Sequence, residues 1–144
     1  MTTLAPILLF VYNRPEHLKQ LIASLQANAE AAQSMLFIYT DAARNKADEE
    51  QVNKVREVIR HIEGFASVEV VERATNWGLA RNIIGGVTEQ IRHYGRVIVL
   101  EDDLVVAPYF LRFMNDALEA YKDEPQVGHI QACDFTQDAS LPDT

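Results

Sequence analysis

An α/β fold with a mostly parallel sheet and helices on both faces is what this sequence predicts, and three observations carry it. Apolar runs of strand length recur along the chain, most of them nearly continuous rather than alternating, which suits strands buried on both faces. Helical periodicity fills the gaps between those runs, so strand and helix alternate. Finally, 144 residues, 48% hydrophobic and 24% charged, with no internal repeat or interdomain linker, fit one soluble domain over 1–144.

Each element can be justified in turn. The first strand is "LAPILLFVY" at 4–12. The helix after it opens at Pro15, a good first-turn residue, with Asn13 and Glu16 in a capping-box-like spacing and Leu18, Leu21, Ile22 and Leu25 on one face. "MLFIYT" at 35–40 is the second strand. The acidic first turn "ADEE" then complements the dipole of a helix carrying Val52, Val55, Ile59 and Ile62. "SVEVVE" at 67–72 precedes a third helix with the stripe Leu79, Ile83, Val87 and Ile91. "RVIVLE" at 96–101 precedes a fourth, opened by Pro108, with Phe110, Met114, Ala117, Leu118 and Tyr121. A fifth strand is expected in "QVGHIQAC" at 126–133, where His129 reads as a core histidine and Cys133 as a small buried apolar residue. Its open apolar edge would invite pairing between copies of the chain, so a homo-oligomer is expected.

Charge and cysteine content narrow the function. A net charge of −8 disfavours a nucleic-acid backbone or an anionic membrane as partner, and an anionic small molecule needs a local cation. One cysteine allows neither an intrachain disulfide nor a CxxC metal framework, which suits a reducing cytoplasm. No run is long and apolar enough for a membrane span, and the first dozen residues do not read as a signal peptide. His17, His61 and His93 lie on helical stretches without metal-ligand spacing and read as surface.

In parallel sheets of this kind, ligands bind beyond the carboxyl ends of the strands. There the sequence puts Tyr12, Asn13 and Arg14 after the first strand, Asp41 after the second, and Asn76 in the loop after the third. Glu101, Asp102 and Asp103 follow the fourth, and Asp134 the fifth. Three consecutive carboxylates repel one another, so they mark a solvated turn, a metal or phosphate site, or an acid/base pair. No GxxxxGK follows any strand and no GxGxxG the first, which removes the glycine-loop nucleotide cradles. Gly85 and Gly86 sit within a helix, where close helix–sheet contact explains them better than phosphate does. A phosphorelay receiver would want an acid pair after the first strand and a lysine after the last, and this chain has neither. Under the metal reading Asp102 and Asp103 turn outward to Mg²⁺ or Mn²⁺, whose shell substrate phosphates complete, while Glu101 accepts hydrogen bonds from a sugar or base. Arg14 suits paired phosphate oxygens, and Trp77 either stacks on a ligand or pins its helix to the sheet.

These segments resemble a family. "VIVLEDDLVVAPYF" is similar to the metal-binding segment of GT-A-fold nucleotide-sugar glycosyltransferases, its E-D-D-x-x-x-A-P-x-F form closest to the N-acetylglucosaminyltransferase I type. "ILLFVYNRPEHLKQLIASL" resembles the opening strand and helix of family 2-like members, "LFIYTDA" their second strand, and "NWGLARN" their N-x-G segment, two residues shortened. The resemblance implies a Rossmann-like nucleotide-binding half that takes a UDP-sugar donor, with a saccharide or glycan as acceptor. It makes Asp103 the ligand of Mn²⁺ (or Mg²⁺) and Asp102 a ribose or neighbouring contact. Asp41 becomes the acid that recognises uracil, and Tyr12, Asn13, Arg14, Asn76, Arg81 and Glu101 become nucleotide contacts. It also implies a general base well downstream of the triplet. Asp134 is the first candidate within these residues, and the chain is expected to be the donor-binding portion of a longer enzyme. The alternative is a non-catalytic module of the same fold that binds a nucleotide or a protein.

Overall fold

The structure is a computed structural model, which describes residues 3–132. Four strands, β1 (Ile7–Val11), β2 (Met35–Thr40), β3 (Ser67–Glu72) and β4 (Ile98–Glu101), form one parallel sheet in the order β3-β2-β1-β4. Between and after them come the helices α1 (Pro15–Gln26), α2 (Glu49–Ile59), α3 (Leu79–Tyr94) and α4 (Phe110–Ala120). β1 is central, pairing Ile7 with Leu36 of β2 and with Ile98 of β4, and all five of its residues are buried. That is the environment a continuous apolar run requires.

The two faces of the sheet are filled differently. On one face, Ile7, Leu9 and Val11 of β1 join Leu36, Ile38, Ile98 and Leu100 against α1, α2 and α4. Leu18, Leu21 and Leu25 of α1 have no solvent exposure, and each such burial contributes about 2 kcal/mol. On the other face Leu8, Phe10, Phe37 and Tyr39 meet α3. Here Phe10 and Tyr39 stack at 4.9 Å, and α3 comes down on them at Gly86. A Cβ at Gly86 would lie 2.8 Å from Tyr39 Cζ and 3.0 Å from Phe10 Cζ, so close helix–sheet contact does account for this glycine.

Four expectations change. The most buried residues of α3 are Asn82, Gly86 and Gln90; of the expected stripe Ile83 and Val87 pack beside them against the sheet, while Leu79 and Ile91 are exposed. Tall aromatic rings on the sheet leave room for a glycine and for a carboxamide that reaches the Tyr39 hydroxyl, from Gln90 Nε2 at 3.0 Å. Asn13 does not cap α1; the cap residue is Arg14, without a side-chain bond, and the Asn13 carboxamide turns to Asp48 instead. Residues 126–132 form no strand. Turn bonds from Glu124 N–H to Tyr121 O and from Val127 N–H to Glu124 O bend the chain there, and His129 is exposed rather than in the core. Cys133 and Asp134 lie outside the described residues. The fifth-strand edge expected to pair copies of the chain is therefore not present among the described residues, where β3 and β4 are the edge strands of the sheet. No helix among them is long and apolar enough to cross a membrane.

Candidate functional site

The carboxyl ends of the strands open into a cleft of about 220 Å³. Tyr12, Asn13, Arg14, Asp41, Asn76, Glu101, Asp102 and Asp103 all line it, eight of the nine binding residues named from the sequence. Four separate loops bring them together, because parallel strands of matched register end on one rim. Arg81 is the exception: its guanidinium lies over the Trp77 ring at 4.1 Å, and Asn82 faces the cleft instead. Arg73 also lies over that ring, at 3.7 Å, so Trp77 packs against arginines and holds the start of α3.

Asp41 is 5% exposed, and its carboxylate is almost fully engaged. Oδ1 accepts the N–H groups of Ala42 and Trp77 at 2.9 and 2.8 Å. Oδ2 accepts the Gly78 N–H at 2.8 Å and Asn76 Nδ2 at 3.2 Å. A carboxylate offers about four acceptor positions, so a ligand N–H must share or displace one of these donors. The long bond from Asn76 is the replaceable one, since Nδ2 also donates to Ala42 O at 2.8 Å. Behind Asp41, Arg56 of α2 donates to the carbonyls of Asp41 and Arg73 and pairs with Glu72 at 2.9 Å, tying the ends of β2 and β3 together.

The acid triplet stands on the far side of β1. Asp102 Oδ2 accepts the Tyr12 N–H at 3.2 Å. Burial pushes its pKa up from the ordinary aspartate value, against the lowering pull of the Tyr12 N–H and Arg14 and with a further rise from Asp103. Asp103 is about half exposed and meets only the Arg14 guanidinium, at 3.5 Å. Among the described residues no three His, Cys, Asp or Glu side chains converge into a metal cage. An all-oxygen pair of neighbouring carboxylates does suit a hard cation that shares its shell with ligand phosphates, the usual arrangement for Mg²⁺. Asp103, the more open of the two, is the one able to turn to it.

Sequence reasoning missed Arg44 and Asp48. Arg44 lines the cleft from the loop after β2, and Asp48 accepts the Tyr12 hydroxyl at 2.8 Å and Asn13 Nδ2 at 3.3 Å. Their partners lie more than thirty residues away along the chain, and no local pattern marks such a pairing.

No protein-family model matches the chain, and no curated protein does. Among solved structures the fold is similar to that of S. aureus TarS, with a TM-score of 0.52 and 14% identity over 81% of this chain. The chain spans about one fifth of the TarS chain, covering 20% of it. At that identity the likeness is one of fold, a Rossmann-like parallel α/β architecture.

Proposed function

We propose that the cleft binds a nucleoside-diphosphate sugar, UDP-sugar by default, as the donor half of a transferase that passes the sugar to an acceptor hydroxyl. The observation that carries this is the convergence of the four loop ends on one cleft: Arg14 and the Asp102–Asp103 pair on one side of β1, and Asp41 with Asn76 on the other. In this reading Asp103 would hold Mn²⁺ or Mg²⁺, and Asp102 and Glu101 would accept hydrogen bonds from ribose or sugar hydroxyls. Asn76 yields its place on Asp41 Oδ2 to the uracil N–H. The ion would supply positive charge to offset the negative charge growing on the departing diphosphate. Arg14, released from Asp103, then turns its guanidinium to the phosphate oxygens. With these carboxylates occupied in binding, the acceptor hydroxyl needs a base from elsewhere.

Calorimetric titration of UDP with and without Mn²⁺, on the wild type and on Asp103→Ala, tests the reading. We expect Mn²⁺ to tighten UDP binding by at least about tenfold, or 1.4 kcal/mol, and Asp103→Ala to abolish that gain. UDP is expected to outcompete ADP. Equal affinity in all three titrations removes the metal role, and no UDP binding at all favours a module that serves as a protein partner.

A further inference from the structure

We infer that Arg44 is a second cation of this cleft that meets the ligand's phosphates, beside Arg14, and that Tyr12 is the positioning residue that holds it there. The inference rests on the nucleotide reading above and adds to it a residue that reading did not require.

Two cations line the cleft, Arg14 and Arg44. Arg14 already faces Asp103 at 3.5 Å. The Arg44 side chain has no ion-pair partner among the described residues, although the cleft is lined by four carboxylates and the chain carries a net charge of −8. An anion entering so acidic a site needs a cation not already neutralised, and Arg44 meets that need.

An arginine on a loose surface loop would lose much of its binding contribution to the ordering of loop and side chain. This loop is ordered in advance. The turn from Asn45 to Asp48 closes on itself, with the Asp48 N–H donating to Asn45 Oδ1 at 3.1 Å. The Tyr12 hydroxyl then fastens both ends: it accepts the Arg44 N–H at 2.8 Å and donates to Asp48 Oδ2 at 2.8 Å. A phenol has one proton to give, and here that proton and a lone pair are both committed. Burial raises the Tyr12 pKa above its ordinary value, with Asp48 adding to the rise and the Arg44 N–H opposing it, so the proton stays in place at neutral pH. The backbone N–H of the same residue donates to Asp102 Oδ2 at 3.2 Å. One residue thus links the acid triplet to the loop that carries Arg44.

The plain alternative is that Tyr12 and Asp48 only fasten a loop, with Arg44 an ordinary solvated arginine. The two differ in which part of the ligand feels a change. Measure UDP affinity by calorimetry and uridine affinity by ligand-observed NMR, on the full chain, for wild type, Arg44→Gln, Tyr12→Phe and the double variant. Arg44→Gln changes an exposed side chain, so it keeps the fold. It should weaken UDP about tenfold, the size of one charged hydrogen bond, while uridine stays within about twofold. Tyr12→Phe keeps the ring and loses both hydroxyl bonds; it should weaken UDP by about three- to fivefold, again sparing uridine. Because Tyr12 acts through Arg44, the double variant should be no weaker than Arg44→Gln alone. UDP binding untouched by Arg44→Gln, or UDP and uridine falling together, overturns the inference while leaving the nucleotide reading intact. So does a double variant whose loss is the product of the two single losses. A wild type that binds neither ligand overturns both.

Discussion

Asp41 and Asp103 are the same residue type on one cleft, on either side of β1, and the protein treats them in opposite ways. Asp41 is buried and surrounded by four donors at 2.8–3.2 Å. Asp103 is half exposed, with a single guanidinium at 3.5 Å. A carboxylate whose acceptors are filled by backbone N–H groups builds structure, because removing it strands those donors away from water. One that is open on most sides costs little to rearrange and is left to meet something from solution. Donor count and burial, rather than residue identity, separate the wall of the cleft that is already satisfied from the wall that is open.

The contrast can be broken most directly at Asp41. Asp41→Asn places an NH₂ group against N–H donors from Trp77, Gly78 or Ala42, and we expect a loss of about 3 kcal/mol in urea unfolding. A loss below about 1 kcal/mol would mean that the four bonds do not carry the wall. The second test comes from beneath. Gly86→Ala drives a methyl group to within 2.8 Å of Tyr39 and lifts α3, whose first turn holds Gly78 against Asp41. Overpacking of this kind costs about 2 kcal/mol. Gly85→Ala, one residue away, meets only Trp77 Cζ3 at 3.8 Å, an ordinary contact. It should be neutral or gain up to about 1 kcal/mol from helix propensity, so the two alanines should shift the melting temperature in opposite directions. The smallest effect belongs to the other wall. Asp103→Ala should change stability by no more than about 0.5 kcal/mol, since an exposed ion pair contributes little, and a larger loss would place Asp103 among the structural acids.

The sequence made most of this fold legible, and the reasons are local. β2 and β3 coincide with their apolar runs, and the inward faces of α1 and α2 follow from spacing alone, because those two helices bury aliphatic side chains against an aliphatic face of the sheet. α3 misleads in part because its innermost positions are set by what stands opposite: Ile83 and Val87 pack as the periodicity predicts, but Phe10 and Tyr39 select Asn82, Gly86 and Gln90 for the closest approach, and Leu79 and Ile91 turn outward. The strand expected at 126–133 fails for a related reason, since an apolar run becomes a strand only where a neighbour accepts its hydrogen bonds. In the cleft, acids at strand ends could be named from their position after each run. Which of them is spent and which is open could not, because three of the four donors to Asp41 come from a segment thirty-five and more residues away. Arg44 and Asp48 stayed hidden in a polar turn for the same reason.

Trp77 is the only tryptophan in the chain, and its place gives the protein an intrinsic optical reporter. Its amide is fastened to Asp41, its indole lies beneath the guanidinium groups of Arg73 and Arg81, and its neighbours Asn76 and Gly78 line the cleft. Emission excited at the indole band therefore arises from one corner of the molecule, with no background from other indoles. A ligand that takes Asn76 from Asp41 shifts the segment on which the fluorophore rides. Fraying of the first turn of α3 strips the guanidinium cover and lets water reach the ring, which moves the emission to longer wavelength. Occupancy of the cleft and local melting of its wall can thus be followed on unlabelled protein at micromolar concentration.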